Sequence, residues 1–188
     1  AALADGSEYR GRYGLTVGEL AGWHRPRLEV LDSAGADVLV LETIPDADEA
    51  QALVAALDGL ATPAWLSYSI AGARTRAGQP LTEAFAVVAD APQVVAVGVN
   101  CCDPVDVAPA IATAREVTGK PVFVYPNSGE GWDAVARRWT GRSRFSAADV
   151  ARWVSLGAAG VGGCCRVGPA EIAAVARVLQ GAAGGCCG

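Results

Sequence analysis

Short, unbroken runs of apolar residues alternate along the chain with longer segments whose apolar residues recur every three or four positions. The short runs are rich in valine and leucine, which is typical of strands buried on both faces of a sheet. The longer segments have the period of amphipathic helices. The predicted strands cover 38–41, 65–70, 94–99, 121–125 and 158–161, and the predicted helices cover 17–34, 46–57, 82–89, 105–117, 146–156 and 168–179.

Residues that start and stop helices support several of these boundaries. Thr16 stands where an N-cap is expected before the first helix, and Gly35 follows that helix directly. Ser146 precedes the fifth helix, and Gly157 follows it. These signals are independent of the apolar pattern, so they strengthen the assignment of the segments between strands as helices.

Regular alternation of strands and helices with short connections predicts a parallel α/β sheet. An open doubly wound sheet and a (β/α)8 TIM barrel both fit this pattern. No GxGxxG motif follows the first strand, which weakens a dinucleotide-binding interpretation. Polar residues follow the carboxyl ends of several strands, as at the catalytic face of a barrel. These residues are Glu42, Asn100, Cys101, Asn127, Ser128, Cys164 and Cys165.

Five predicted strands are fewer than the eight of a closed (β/α)8 barrel. The chain also contains no methionine. We therefore expect a TIM-barrel-type fold that is present as its C-terminal five βα units, with the first three units missing upstream. Residues 1–180 are expected to form this domain. Residues 181–188, which include Cys186 and Cys187, are expected to form a flexible tail.

The composition narrows the range of partners. The 188 residues are 52% hydrophobic, carry a formal net charge of −5 and contain no run of Lys or Arg, which argues against nucleic acid and acidic membrane surfaces as partners. No apolar stretch reaches the ~18 residues of a candidate membrane span. The N-terminal residues do not resemble a signal peptide. The sequence thus predicts a cytoplasmic protein with reduced cysteines, and it leaves oligomer formation open.

Two pairs of adjacent cysteines follow two of the predicted strands. Cys101-Cys102 comes after the strand 94–99, and Cys164-Cys165 comes after the last strand and two glycines. Adjacent side chains on an extended strand point to opposite sides, and glycine permits the chain to leave that geometry. Two strand ends that deliver thiols to one place indicate a metal site. Soft thiolates favour zinc, which keeps three protein ligands in catalytic sites and four in structural ones.

Purely structural roles for the cysteines fit the pattern less well. A cysteine buried as a small hydrophobe explains one such residue better than four. A disulfide framework is typical of small, cysteine-dense secreted domains, which this chain does not resemble. The spacing matches no standard zinc finger. His24 lies in the first predicted helix and is expected to be an ordinary surface or half-buried histidine.

Five motifs together resemble the homocysteine S-methyltransferase family. They are 3–11 (LADGSEYRG), 41–45 (LETIP), 98–101 (GVNC), 125–130 (YPNSGE) and 162–165 (GGCC). The resemblance extends from residue 1 to about residue 180. It implies a (β/α)8 barrel, and members of that family begin well before the position of Ala1, with an Asp-Gly-Gly segment that helps to bind the amino acid.

The resemblance also implies which residues bind a metal. Three cysteines bind zinc in that family, and the matching residues here are Cys101, Cys164 and Cys165. The family's ligand directly follows the asparagine, so Cys102 is expected to be a packing residue. Coordination to zinc removes the proton of a thiol. The resemblance therefore implies that homocysteine binds as a thiolate and attacks a methyl group, giving methionine.

Several residues near the strand ends are candidates for substrate binding. By the resemblance, Glu42 is expected to hold the ammonium group of the substrate; a helix N-terminal acid or a salt bridge is the alternative. Asn100 is expected to orient the zinc loop or to bind the substrate carboxylate, with a structural turn as the alternative. Asn127 and Ser128 are expected to shape the mouth of the site, and Tyr68 lies either in the core or at the rim.

The methyl donor is less constrained than the metal site. A negatively charged, thiolate-rich site favours a cationic donor such as S-methylmethionine, S-adenosylmethionine or betaine. The LETIP and YPNSGE motifs resemble the S-methylmethionine and S-adenosylmethionine branch. Methylfolate-dependent enzymes share the zinc cysteines but use further modules. Two other classes remain open: a zinc- or thiol-binding module without catalysis, and a redox dithiol protein.

Overall fold

The computed structural model describes residues 9–133 and 136–184. Its elements follow the predicted alternation. The helices are α1 (Val17–Ser33), α2 (Ala47–Ala56), α3 (Leu81–Ala89), α4 (Pro104–Thr118), α5 (Ala147–Ser155) and α6 (Pro169–Gly184). The strands are β1 (Leu39–Ile44), β2 (Ala64–Tyr68), β3 (Ile70–Ala71), β4 (Arg74–Thr75), β5 (Val94–Asn100), β6 (Val122–Tyr125), β7 (Gly131–Asp133), β8 (Arg138–Thr140) and β9 (Ala158–Val161).

Five of these strands form one parallel sheet in the order β1-β2-β5-β6-β9. Each neighbouring pair is joined by a crossover that contains a helix, namely α2, α3, α4 and α5 in turn. The predicted parallel α/β fold is confirmed. The strand order follows the chain without reversal, as in the wall of a barrel, whereas a doubly wound sheet reverses its order at a switch point.

One face of this sheet is covered by the helices and forms the main core. Leu66, Val97 and Val124 lie on three adjacent strands, and each has 0% exposure. Tyr68 has 0% exposure on the same face, and its hydroxyl donates a 2.7 Å hydrogen bond to the carbonyl oxygen of Ala84. Tyr68 is therefore a core residue, which decides between its two predicted positions.

The first helix begins as the sequence predicts. The Thr16 hydroxyl accepts a hydrogen bond from the backbone N–H of Glu19, and the Glu19 carboxylate accepts one from the backbone N–H of Thr16. This reciprocal arrangement is a capping box, which satisfies two backbone donors at the start of the helix. Further along the chain, α4 terminates at Gly119, whose φ of 63° is the left-handed conformation that glycine adopts easily.

The opposite face of the sheet carries aromatic side chains. Trp65 packs edge-to-face on Phe123 with ring centroids 5.1 Å apart, and the Trp65 indole N–H donates a 3.1 Å hydrogen bond to the Tyr125 hydroxyl. Val40, beside Trp65 in the strand register, is 41% exposed. A cavity of about 300 Å³ lies along β6 and β9 on this face. Within the described ranges, this face is much less covered than the helical one.

Two segments predicted as loops contain short hairpins. β3 pairs with β4 between β2 and α3, so Ile70, the last residue of the predicted strand 65–70, belongs to this hairpin rather than to the main sheet. β7 pairs with β8 in the segment between β6 and α5. Strands of two or three residues are too short to show an apolar period, so the sequence pattern did not reveal them.

The end of the described chain also differs from the expectation. Helix α6 continues to Gly184, so residues 181–184 of the predicted tail are helical. The rest of that tail, with Cys186 and Cys187, lies outside the described residues. None of the described helices has both the length and the apolar character needed to cross a membrane.

Candidate metal centre

Three cysteines meet at the carboxyl edge of the parallel sheet. Cys101 follows β5, and Cys164 and Cys165 lie in the turn after β9. Their sulfur atoms all lie within 4.8 Å of one another. A tetrahedral zinc with Zn–S bonds of about 2.3 Å separates its sulfurs by about 3.8 Å. The structure therefore brings the three predicted ligands to distances that small side-chain movements would close around one ion.

Cys101 reaches this cluster through a left-handed turn at the end of β5. Its φ is 48°, an uncommon conformation for a residue with a side chain. Its carbonyl oxygen accepts a 3.2 Å hydrogen bond from the Ser69 hydroxyl, and this bond stabilises the turn. The next residue, Cys102, has 0% exposure and belongs to the hydrophobic core. Burial raises the pKa of Cys102, so its thiol stays neutral and packs as a small apolar group.

The turn with the other two cysteines is held by the segment that follows β6. The N–H of Cys164 donates a 2.8 Å hydrogen bond to the carbonyl of Pro126, and the N–H of Cys165 donates a 3.0 Å bond to the side-chain oxygen of Asn127. The N–H of Ser128 donates to the carbonyl of Cys165 at 3.0 Å. These bonds position the cysteine turn against β6, so Asn127 and Ser128 contact the turn itself.

An ion pair between Arg166 and Glu130 adds a side-chain contact between the same two segments. Arg166 follows Cys165, and its Nε atom lies 3.1 Å from the carboxylate of Glu130, the last residue of the YPNSGE motif. The Ser128 hydroxyl donates to the same carboxylate at 2.8 Å. The Arg166 guanidinium also lies 5.7 Å from the ring centroid of Trp139 in β8. The YPNSGE motif thus binds the backbone of the cysteine turn through hydrogen bonds and the side chain of Arg166 through an ion pair.

Replacing Asn127 by alanine is expected to weaken metal binding by about 10–100-fold, because outer partners of metal ligands typically contribute that much. The variant leaves the N–H of Cys165 without its acceptor. Competition with a chromogenic chelator measures the affinity. Ser143→Ala is the control, since its hydroxyl makes only a 3.4 Å contact with the Ser128 carbonyl and touches no cysteine. Equal affinities for the two variants would contradict this role of Asn127.

The pKa values of the three thiols are shifted in different directions. A hydrogen bond from the Cys164 side chain, which outweighs the opposing effect of burial, lowers the pKa of Cys101 to about 6, and hydrogen bonds from Thr43 and Tyr9 add to the shift. The bond to Cys101 and burial both raise the pKa of Cys164. Burial and the charge of Cys101 raise the pKa of Cys165. Without metal, the cluster therefore carries its first negative charge on Cys101.

Two further polar side chains stand near the carboxyl ends of β1 and β5, at the same edge of the sheet as the cluster. Glu42 is exposed near the end of β1, and no Lys or Arg in the described part of the chain pairs with it. Burial, reinforced by the negative charge of Glu42, raises the pKa of Tyr125 to about 12. Asn100 has 0% exposure. Its side-chain oxygen accepts a 2.9 Å hydrogen bond from the backbone N–H of Thr43, and its side-chain nitrogen donates a 2.7 Å hydrogen bond to the Thr43 hydroxyl. Glu42 can thus meet a ligand, whereas Asn100 is engaged within the fold.

Two residues near the cluster were not singled out from the sequence. The Tyr9 hydroxyl lies 3.9 Å from the Cys101 sulfur. Thr43 has a φ of 61° and bonds to Asn100. Tyr9 stands inside the motif 3–11 and Thr43 inside the LETIP motif, but their geometry depends on turns that the sequence does not display. His24, by contrast, is a residue of α1 whose side chain faces α2, with Nε2 3.0 Å from the Glu49 carboxylate.

A sequence model described as homocysteine S-methyltransferase matches residues 1–179 of the chain. The chain belongs to the homocysteine S-methyltransferase family. It is 42% identical over 187 residues to homocysteine S-methyltransferase 4 of Zea mays, an alignment that covers 94% of this chain and 55% of the maize protein. It is also 42% identical over 178 residues to homocysteine S-methyltransferase of Escherichia coli strain K12, covering 92% of this chain and 57% of that protein.

A solved homocysteine S-methyltransferase has a similar fold. The metallated form of the homocysteine methyltransferase MmuM from Escherichia coli superposes with a TM-score of 0.79 and 39% sequence identity. The match covers 93% of this chain and 56% of MmuM. The chain thus spans little more than half the length of the family members it matches. The family membership and the sulfur cluster agree with the resemblance drawn from the sequence motifs.

Proposed function

We propose that this protein binds zinc through Cys101, Cys164 and Cys165 and transfers a methyl group from a sulfonium donor to homocysteine, giving methionine. The observation that carries the proposal is the convergence of three sulfurs, within 4.8 Å of one another, at the carboxyl edge of a parallel sheet. Active sites of barrel enzymes form at this edge. Family membership supplies the class of reaction.

The chemistry of the donor set supports zinc. Thiolates are soft ligands that select zinc among the abundant divalent metals, and three protein ligands leave one tetrahedral position open for a substrate sulfur. When bound, zinc would supply a homocysteine sulfur held as a nucleophilic thiolate. The described cluster has no fourth His, Cys, Asp or Glu side chain that would complete a closed structural site. This open position favours a catalytic site.

The chain's own residues would bind and orient the amino acid. Glu42 is exposed at the same edge of the sheet as the cluster, and none of the ion pairs among the described residues includes it, so its carboxylate can pair with the ammonium group of homocysteine. Of the three roles predicted for Asn100, its complete burial and its bonds to Thr43 favour orienting the metal loop or a structural turn over contacting the substrate carboxylate. Substrate and metal would therefore be held at the same carboxyl edge of the sheet.

Electrostatics favours a cationic methyl donor. Three thiolates and one Zn²⁺ sum to a single negative charge, and Glu42 adds another nearby. S-methylmethionine and S-adenosylmethionine are sulfonium ions that this field attracts. Betaine is the cationic alternative, and a methylfolate donor would need contacts outside the described chain. The LETIP and YPNSGE motifs favour the two sulfonium donors.

A complete (β/α)8 barrel is the architecture in which this site would work. The described sheet contains five parallel strands in chain order, and its less covered face carries aromatic side chains. Eight strands close such a barrel, and their inner side chains fill its interior. We propose that the five units described here correspond to the C-terminal five of that fold.

Methyl transfer from isotope-labelled S-methylmethionine to homocysteine by the zinc-loaded chain tests the proposed function. Labelled methionine that depends on zinc and on all three cysteines is the expected result. If the chain binds homocysteine but forms no labelled methionine from any sulfonium donor, the proposed activity is wrong and the chain is a non-catalytic binding module. A reversible disulfide without stoichiometric metal would instead indicate a redox dithiol protein.

Glu42→Gln is expected to weaken homocysteine binding by about 10–100-fold while leaving zinc affinity unchanged, because a charge-assisted hydrogen bond is lost but no ligand is removed. Calorimetric titration of homocysteine into the zinc-loaded chain measures this effect. Glu116→Gln, on the exposed surface of α4, is the matched control. If the Glu42→Gln variant binds homocysteine with unchanged affinity, Glu42 does not contact the substrate.

A further inference from the structure

The turn that carries Cys101 has a backbone conformation that needs support from its surroundings. Its φ is 48°, and residues with a side chain keep such a conformation where the neighbouring structure determines it. The N–H of Cys101 donates a 3.4 Å hydrogen bond to the carbonyl of Tyr125 on β6. Its carbonyl oxygen can accept two hydrogen bonds, and both donors come from the segment that contains the hairpin β3–β4.

The register of this hairpin places Arg76 opposite Ser69. Ile70 pairs with Thr75 in the antiparallel ladder. Ser69 and Arg76 flank this pair, and the N–H of Arg76 donates a 3.2 Å hydrogen bond to the carbonyl of Ser69. The N–H of Ser69 donates a 2.9 Å bond to the carbonyl of Ile44, at the end of β1. Both residues are therefore held in place at the carboxyl edge of the sheet.

Ser69 and Arg76 share the carbonyl oxygen of Cys101. The Ser69 hydroxyl donates to it at 3.2 Å, and Nη2 of Arg76 donates to it at 3.4 Å. Nε of Arg76 also donates to the Ser69 hydroxyl oxygen at 3.3 Å. A guanidinium has donors and no acceptor, so this bond leaves the single Ser69 proton for the carbonyl. The arginine thus acts on the Cys101 carbonyl directly and through the serine.

The charge of Arg76 is directed at this backbone oxygen and not at a carboxylate. None of the ion pairs in the described ranges includes Arg76. Hydrogen bonds from a charged donor are stronger than those from a neutral one. Ser69 has 0% exposure, so water does not compete at its hydroxyl, whereas Arg76 is exposed. These contacts give the arginine a purpose at the Cys101 turn.

We propose that Arg76 is a positioning residue for the metal ligand Cys101, and that it acts with Ser69 on the backbone of that residue. This inference rests on the proposed function, because it takes Cys101 to be a metal ligand. The direction of a side chain follows from the backbone that bears it, so a turn fixed at its carbonyl also fixes where the sulfur points. Outer partners of metal ligands orient them in this way.

Cobalt(II) absorption spectroscopy tests this role, because cobalt replaces zinc in thiolate sites and its ligand-field bands depend on the angles between the ligands. Arg76→Met keeps an unbranched side chain but lacks the guanidinium. It is expected to weaken cobalt binding by about 10–100-fold and to change the ligand-field bands, since the Cys101 sulfur is held less firmly. Because Arg76 is exposed, the variant is expected to fold.

Arg74→Met is the matched control on the same hairpin. Arg74 is also exposed, but its Nη1 donates a 2.7 Å hydrogen bond to the carbonyl of Gly78. The variant removes the same charge without touching the Cys101 turn, so it is expected to keep the spectrum and the cobalt affinity of the unaltered chain. A fall in melting temperature without a change in the cobalt bands would mark a purely structural effect.

Salt separates positioning from a general effect of charge. In about 1 M sodium chloride the Debye length falls to about 3 Å, so long-range attraction or repulsion is screened. The loss of affinity in Arg76→Met is expected to persist there. Ser69→Ala removes the other donor to the Cys101 carbonyl and keeps the charge, and it is expected to change the same bands in the same direction.

The outcomes distinguish this inference from the proposed metal site. If Arg76→Met matches Arg74→Met in bands and affinity, or if its effect vanishes at high salt, the role of Arg76 is overturned and the metal site stands. An unaltered spectrum in Ser69→Ala would overturn the part assigned to Ser69. If the unaltered chain showed no thiolate-to-cobalt charge-transfer bands, the metal site would be wrong, and the role of Arg76 would fall with it.

Discussion

Replacing Cys101 by serine is expected to abolish stoichiometric zinc binding by the chain. Outer partners of metal ligands contribute up to about 100-fold in affinity, so loss of a ligand itself is expected to exceed that. Cys164→Ser and Cys165→Ser should have the same effect, because all three sulfurs lie within 4.8 Å of one another. Zinc content after dialysis, together with chelator competition, measures the loss.

Cys102→Ser is the matched control for this series. Cys102 is adjacent to Cys101, but it has 0% exposure and lies in the hydrophobic core. Its replacement places a hydroxyl in an apolar environment and is expected to lower thermal stability while keeping one zinc per chain. Loss of zinc from Cys102→Ser in a folded chain, or its retention in Cys101→Ser, would contradict the assignment of ligands.

Gly98→Ala is expected to destabilise the chain by about 3 kcal/mol, at the upper end of the typical cost of overpacking. A Cβ atom at this position would lie 1.8 Å from the backbone oxygen of Phe123 on the adjacent strand. That oxygen belongs to the backbone, so relief requires β5 and β6 to move apart. For a chain of this size the melting temperature should fall by roughly 6–12 °C, as measured by circular dichroism.

Gly22→Ala provides a control with the opposite sign. Gly22 lies within α1, and nothing lies within 4 Å of an added Cβ. Alanine in a helix interior is favoured over glycine by about 0.8–1.0 kcal/mol, so this variant should melt slightly higher than the unaltered chain. A melting temperature for Gly98→Ala equal to that of Gly22→Ala would show that β5 and β6 do not approach as closely as described.

Much of this site follows from the order of elements along the chain. Polar residues after the ends of parallel strands must gather at one edge, which is why the sequence predicts that Cys101 meets Cys164 and Cys165. The adjacent cysteine Cys102 points into the core because successive side chains leave a strand end in different directions. The role of the YPNSGE motif at the cysteine turn was predicted only as shaping the mouth of the site.

Several features of the site depend on conformations that no local pattern displays. Thr43 adopts a left-handed turn because of Asn100, which lies 57 positions later in the sequence. Tyr9 approaches Cys101 across a separation of 92 residues, from a segment without an apolar period. The hairpins β3–β4 and β7–β8 are too short for periodicity to reveal. In each case tertiary contacts, rather than local propensity, determine the geometry.

Counting the sulfur neighbours of the bound metal tests the central claim most directly. X-ray absorption at the zinc edge of the loaded chain should show three sulfur atoms at about 2.3 Å and one lighter atom. Addition of homocysteine should raise the sulfur number to four, as its thiolate takes the open position. A sulfur number that stays the same with saturating homocysteine, or a metal bound by fewer than three sulfurs without it, would contradict the account.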